Sequence, residues 1–567
     1  MVHQQICLVS VHISNVKSIR ECEIDLRDSN YVFGINNSGK SNLIFALNAA
    51  FGNTRVGQED IFVSESSPFD GNKKAIIDLM FRPTGDDGFR DVFSDEWQKV
   101  LGDSISLDYN MRQFFAFRTE FEYDGRNNSY RRKRSIINDW SDKDRTHGTI
   151  PDRIMSRLNC LYLDAHRDIS EDIGNRTSFW NKRVSDIDIS EDLSKKIEHE
   201  VMKLNEEIIN GSNLLMKLKA DFNDLPMVEE SVEIKPMSNP ASRVYGGLEI
   251  NIDISGNKAP ISALGLGSRS VFTISTVKTV SNAIVESGEP EYTIVLIEEP
   301  EAHLHPMLQT TVGGIISQIS VQKIVTTHSA NILNINSYND MIHAYREGGE
   351  TKFTYTHLEP DEERTIRDKT HGKNTNLLFS KLIIFGEGWT EEVTIPIYLK
   401  HLLGKDTDSL DVMVVGTGGK NSYTPFLKLA HAFGLKWLIF SDGDKSAPED
   451  VSNSLKDVFG DSHDVQKDDR VIIIPGMRYE DMICADSYDV VYMAMEDELG
   501  QEAFEKKLRE KWNNMPDAND SKVLADLIHN SKHSMYAADI AERICNANSL
   551  SEPIKKLADA VKRELRP

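Results

Sequence analysis

Gly34-Ile35-Asn36-Asn37-Ser38-Gly39-Lys40-Ser41 fits the spacing GxxxxGK[ST], and the residues on either side supply the context that spacing needs. Upstream, apolar and polar positions alternate through Ile6, Leu8, Val11 and Ile13 and again through Cys22, Ile24 and Leu26. That period predicts two β-strands around the turn Asn15–Ser18, followed by a short strand at Tyr31-Val-Phe33. Downstream, Leu43, Ile44, Leu47 and Phe51 recur at helical spacing, so the loop joins a strand to a helix. In such a loop the backbone N–H groups of Gly34, Asn36, Asn37, Ser38 and Gly39 can turn inward to phosphate oxygens. Lys40 reaches the terminal phosphates, the Ser41 hydroxyl ligates Mg²⁺, and the helix adds its N-terminal dipole.

A nucleotide loop needs acidic partners. Thr293-Ile-Val-Leu-Ile-Glu298-Glu299-Pro300-Glu301 is an apolar strand ending in carboxylates. One acid suits the magnesium shell and the next can polarise an attacking water. Glu298 takes the first role and Glu299 the second. Lys323-Ile-Val-Thr-Thr-His328-Ser is another strand, ending in a histidine able to contact a γ-phosphate.

Composition bounds the rest. The chain has 567 residues, with 65 Lys+Arg against 89 Asp+Glu and a formal charge of −24. That balance argues against nucleic-acid binding over the whole surface, while leaving room for a local basic track such as Arg131-Arg-Lys-Arg134. Five scattered cysteines without CxxC spacing read as reduced thiols, neither a disulfide framework nor a zinc site. No apolar run approaches the length of a membrane span, and the first residues do not read as a signal peptide. A cytoplasmic protein with no membrane partner is expected.

The chain is expected to divide into residues 1–185 and 241–365 as two parts of one nucleotide-binding domain, with 186–240 as a helical insertion suited to dimerisation. Leu193, Ile197, Val201, Leu204 and Ile208 carry the helical period of that insertion. The polar stretches Glu347–Glu350 and Glu359–Arg364 separate a second unit, 378–567, with a boundary at 365–378. There, strands at Lys381–Phe385, Asp411–Val415, Leu435–Phe440 and Arg470–Ile474 alternate with helices at Thr390–Leu402 and Tyr423–Phe433. That alternation predicts parallel crossovers and hence an α/β sheet.

The second unit has its own carboxylates. Ile384-Phe-Gly-Glu387-Gly-Trp-Thr-Glu391 puts one acid at a strand end and another four residues on. Leu438-Ile-Phe-Ser-Asp442-Gly-Asp444 ends a second strand with two acids separated by glycine. So much like charge near one sheet edge repels strongly unless a divalent cation offsets it, and hard oxygen donors suit Mg²⁺ or Mn²⁺.

These motifs together carry a resemblance. The phosphate loop, a long insertion, Leu264-Gly-Leu-Gly-Ser-Arg269-Ser270, Ile-Glu298-Glu299-Pro-Glu-Ala-His-Leu-His305-Pro and Thr-Thr-His328-Ser stand in the order of an ABC-type ATPase of the SMC-related class. The resemblance implies an ATP site completed by residues 264–270 of a second subunit, although this stretch departs from the LSGGQ wording. It sets Gln58 at the place of a Q-loop glutamine. Leu161-Tyr-Leu-Asp-Ala-His-Arg167-Asp is similar to a further family feature. The second unit resembles a Toprim domain, with Gly416-Thr-Gly-Gly-Lys420 between its acidic motifs. ATPase followed by Toprim is the arrangement of the OLD (overcoming lysogenization defect) nuclease family. Within that family the size is similar to the A subunit of Gabija anti-phage systems, which works beside a helicase-like partner. The resemblance implies a DNA endonuclease gated by ATP and assembled as a dimer or tetramer. Glu387, Glu391, Asp442, Asp444 and Glu480 would be the metal ligands, with Glu387 also catalytic. Lys532 would stabilise charge on the scissile phosphate. Two other readings make different demands: an ATP-operated DNA clamp with a structural Toprim unit, or a strand passer using Tyr479 or Tyr536 as nucleophile.

Overall fold

The structure is a computed structural model. It describes residues 4–566 except 53, 65–72, 86–87, 128, 165–198, 201, 204–205, 227–230, 237–247, 255–256, 287, 371–375, 419–422, 445, 462 and 531–533. Arg167, Lys420, Lys532 and much of the expected insertion at 186–240 therefore lie outside the described residues. The chain divides into two compact units, Met1–Asn336 with Asp340–Phe353, and Ser337–Asn339 with Thr354–Pro567.

The first unit contains an antiparallel and a mainly parallel sheet. The antiparallel one runs in the order Ile19–Asp25, Ile6–Val16, Ala75–Gly85, Gln113–Asp124, Ser129–Ile137 and Thr146–His147. The other runs Leu158–Leu163, Tyr292–Glu298, Gln322–Thr327, Ser29–Phe33, Met341–Glu347 and Glu350–Tyr355. Its strands from Leu158–Leu163 to Met341–Glu347 are parallel. Tyr292–Leu296 is buried without a break, as parallel strands covered on both faces require. The helix Lys40–Phe51 shares one apolar core with both sheets through Leu43, Ile44, Leu47 and Phe51. The stretch from Ile105 to Asp124 forms two strands, Ile105–Leu107 and Gln113–Asp124. Asp108 breaks it by accepting the N–H groups of Asn110 and Arg112 at 2.9 Å each, an Asx-type turn.

The second unit is built on a parallel sheet in the order Val412–Gly416, Leu382–Gly386, Trp437–Ser441, Val471–Ile473. Its first strand in sequence is central. The chain adds Val412–Gly416 on one side, then crosses to place Trp437–Ser441 on the other. The strand order thus reverses at Leu382–Gly386, and in open α/β sheets such a switch point opens a crevice at the C-terminal strand ends. Helices from Tyr479 to Glu564 follow, and Ser534–Asn546 packs on Trp389–Leu403.

The change of unit at Phe353–Thr354 comes earlier than the 365–378 expected. Glu359–Arg364 looked like a polar separator but opens a helix, Pro360–Lys369, with proline in its first turn. The Glu359 N–H donates to Glu362 Oε2 at 3.0 Å, and Glu362 also pairs with Lys428. Among the described residues no helix is long and apolar enough to cross a membrane.

Candidate active sites

The phosphate loop follows the strand Ser29–Phe33 and opens the helix Lys40–Phe51. Glycine is required at Gly39, whose φ is 102° and where a Cβ would lie 2.0 Å from Thr351 Oγ1. Thr351 Oγ1 in turn donates to the Ser38 carbonyl at 3.0 Å, tying the loop to the sheet edge. Lys40 is buried, and its ammonium donates to the Gly34 and Ile35 carbonyls at 3.1 Å each. Burial pulls it down to about 8 against the opposing pull of Glu299, Glu301 and Glu298. Those acids come from the strand Tyr292–Glu298, two places across the sheet from Ser29–Phe33, and the turn after it. Asn36 and Asn37 lie on the exposed rim of the loop, and Ser41 is exposed in the first helical turn.

Glu298 accepts the Tyr162 hydroxyl at 2.6 Å. Glu299 has a positive φ of 43°, and its Oε1 stands 3.6 Å from His328 Nε2. Burial, together with the Lys40 charge, lowers the His328 pKa. Glu301, half-buried, accepts the His328 N–H, and burial raises its pKa. The structure therefore brings Lys40, Glu298, Glu299 and His328 together. The stretch 264–270 forms the start of the helix Leu266–Glu286, where a Cβ on Gly267 would come 2.7 Å from the His303 carbonyl. Gln58 is elsewhere, lining a cleft with Gly52 at the opposite end of the phosphate-loop helix. Sequence reasoning missed Tyr162 and Glu301. Tyr162 could have been noticed as a hydroxyl in the otherwise apolar run Leu161-Tyr-Leu163.

In the second unit, Glu387 directly follows the strand Leu382–Gly386 and Asp442 directly follows its neighbour Trp437–Ser441. Both therefore stand at the switch point. The Ser441 hydroxyl donates to Glu387 Oε1 at 3.0 Å, and the Tyr479 N–H donates to Asp442 Oδ1 at 2.8 Å. Glu391 is buried and accepts the Gly388 N–H at 2.9 Å, capping its own helix. Glu480 Oε1 lies 3.4 Å from His529 Nδ1. Gly443 separates the two aspartates because only glycine fits: a Cβ there would lie 1.5 Å from the Ile474 carbonyl oxygen.

Electrostatics tie these acids together. Burial and the charges of Glu387, Glu391 and Glu480 push Asp442 up to about 8. Burial, Glu480 and Glu387 push Glu391 up to about 7. The donor set is all carboxylate, with an excess of negative potential, which fits a hard divalent cation. Among the described residues no three His, Cys, Asp or Glu side chains already stand close enough to ligate one ion. Glu391 is turned to its helix N-terminus and Glu387 to Ser441, so gathering a cation requires these side chains to rotate. Tyr479, offered as a nucleophile by the strand-passer reading, is buried with its hydroxyl 2.6 Å from that of Tyr398, and burial raises its pKa.

Residues 7–333 match the family described as AAA ATPase domain. Residues 378–444 match the one described as Overcoming lysogenization defect protein-like, TOPRIM domain. The Old nuclease of Escherichia phage P2 is 24% identical over 466 residues, covering 77% of this chain and 77% of that protein. The Endonuclease GajA of Bacillus cereus (strain HuB5-5) is 24% identical over 244 residues, 36% of this chain and 32% of that one. Among solved structures, an Smc head domain with an extended coiled coil from Pyrococcus furiosus is 17% identical, with a TM-score of 0.40, over 64% of this chain and 99% of its own.

Proposed function

The chain belongs to the AAA ATPase-domain family and carries a TOPRIM domain of the overcoming-lysogenization-defect type, and from that premise we propose that it is a metal-dependent DNA endonuclease whose cutting is gated by ATP. The observation that carries the proposal is the placement of Glu387 and Asp442 side by side at the switch point, with Glu391 and Glu480 raising the negative potential around them. Mg²⁺ or Mn²⁺ held by Glu387, Glu391, Asp442, Asp444 and Glu480 would supply an activated water and offset charge on the scissile phosphate.

The chain's own residues prepare that site. Ser441 orients Glu387, the Tyr479 amide fixes Asp442, and Gly443 lets the Asp442–Asp444 turn lie against Ile474. Lys532 is assigned by family resemblance to the charge on the scissile phosphate. In the ATPase unit, Lys40 would turn from the Gly34 and Ile35 carbonyls to the terminal phosphates, Glu298, which accepts the Tyr162 hydroxyl, would take the magnesium side, and Glu299 beside His328 would orient water. By family resemblance, residues 264–270 would cover the nucleotide of a second subunit in a homo-oligomer. A role in defence against phage and a helicase-like partner rest on the family resemblance.

The test is incubation with supercoiled and linear DNA in Mg²⁺ or Mn²⁺, with and without ATP, beside Glu387→Ala. Metal-dependent nicking or linearisation that the variant loses by at least about a hundredfold supports the nuclease, and the ATP lanes give the sign of the gate. ATP-dependent DNA association with intact DNA under every metal would replace it with the clamp.

A further inference from the structure

The basic run Arg131–Arg134 lies on the strand Ser129–Ile137, where successive side chains face opposite ways. Arg131 and Lys133 stand across from Glu122 and Glu120, so charges on that face offset one another. Arg132 and Arg134 stand across from Phe121 and Thr119 and turn to the C-terminal end of the phosphate-loop helix. Arg134 donates to the Ala50 carbonyl at 2.6 Å. The Arg132 guanidinium lies beside Gly52, where a Cβ would be 2.5 Å from Nη1.

One helix end calls for only a fraction of a positive charge, and more than that is present. Among the described residues Arg55, Arg132 and Arg134 have no carboxylate partner, whereas Arg131 pairs with Asp124 at 3.4 Å. Arg134 Nε is buried with no hydrogen-bond partner, and burial and the Arg132 charge pull this guanidinium down to about 10. In a chain with a formal charge of −24, such a cluster is selective for anions at one place.

A cleft of about 680 Å³ opens in front of it, lined among others by Arg55, Arg132, Tyr123, Tyr130, Gln58 and Glu59. The rings of Tyr123 and Tyr130 are 5.5 Å apart, and the Tyr130 hydroxyl is buried with no partner. We propose that this cleft binds single-stranded nucleic acid, with a phosphodiester on Arg132 and Arg55 and an unstacked base on the Tyr123–Tyr130 pair. Aromatic faces accept a base only once it has left a duplex stack. A diester's single charge suits two guanidiniums facing one carboxylate, Glu59, whereas a free triphosphate carries several. The site is distinct from the carboxylate crevice and does not depend on whether that crevice cuts.

The test uses the full chain in chelator with a short oligonucleotide carrying 5-iododeoxyuridine. Photocross-links are expected at Tyr123 or Tyr130, mapped by mass spectrometry, and lost in Tyr123→Leu/Tyr130→Leu. In fluorescence anisotropy, Arg132→Gln is expected to weaken binding about tenfold and to lower the slope of log K against log salt by about 0.7, one single-strand phosphate contact. Retained ATP binding shows that the phosphate-loop helix survives the substitution. If it does not survive, the tyrosine variant decides, by loss or persistence of the cross-link. Cross-links mapping elsewhere with an unchanged salt slope overturn the proposal. So does displacement by free nucleotide at equal phosphate concentration, which would make a mononucleotide the ligand.

Discussion

Asp442→Asn should make the metal-free protein more stable while abolishing cleavage. In the folded chain Asp442 is raised from 3.8 to about 8 by burial and by Glu387, Glu391 and Glu480. An acid whose folded pKa is raised costs nothing at pH values below its unfolded value, because both states are then protonated. The cost grows as pH climbs from 3.8 toward 8. Each pH unit is worth about 1.4 kcal/mol, so at pH 7 the ceiling is about 4 kcal/mol. The neighbouring acids share the relief when one proton is taken up, which brings a realistic gain to about 2 kcal/mol. An asparagine oxygen can still accept the Tyr479 N–H, so the loop anchor stays. For a unit of this size the gain corresponds to a rise in Tm of about 4–8 °C. The assay is differential scanning calorimetry with chelator at pH 7 and again near pH 4, with a magnesium titration of both proteins. The gap should close near pH 4, and magnesium should raise the wild type more than the variant. A Tm for Asp442→Asn equal to or below wild type at pH 7, or a gap that persists near pH 4, would refute the electrostatic account.

Other substitutions test other parts. Gly443→Ala drives a Cβ to 1.5 Å from the Ile474 carbonyl oxygen and should cost about 3 kcal/mol or more, read as a lowered Tm or loss of soluble protein; a neutral result would mean the Asp442–Asp444 turn can move aside. Glu299→Gln should slow ATP hydrolysis by about a hundredfold with ATP binding nearly unchanged in a filter assay, and equal losses of both would assign Glu299 to binding instead. Tyr162→Phe removes the hydroxyl that Glu298 accepts at 2.6 Å and should weaken Mg-ATP binding about tenfold by calorimetric titration; an unchanged affinity would remove Tyr162 from the site.

The sequence made the local parts readable. The phosphate loop, the strand ending in Glu298 and the strands preceding Glu387 and Asp442 each depend on residues a few positions apart. What it hid depends on pairing. That Leu382–Gly386 is central, with Trp437–Ser441 beside it, is a strand order that periodicity does not encode. The run Arg131–Arg134 reads as one patch, yet the pleat sends its members to two faces, one offset by Glu120 and Glu122 and the other turned to the phosphate-loop helix. By polarity alone Glu359–Arg364 reads as a separator. Glutamate, then proline, then Glu362 is a helix start, a signal legible without coordinates.

The placement of Ser29–Phe33 has a consequence for how the protein is made. This strand pairs with Gln322–Thr327 on one side and Met341–Glu347 on the other, and Asn30 bonds to Lys323, 293 residues later. At ordinary elongation rates the strand waits roughly 15 to 60 s on the ribosome before either neighbour exists. During that interval Tyr31, Val32 and Phe33, all buried in the finished sheet, have no native sheet partner. The nucleotide site is thus begun long before the strands that complete it are made, and over that interval its strand exposes apolar side chains that the finished sheet buries.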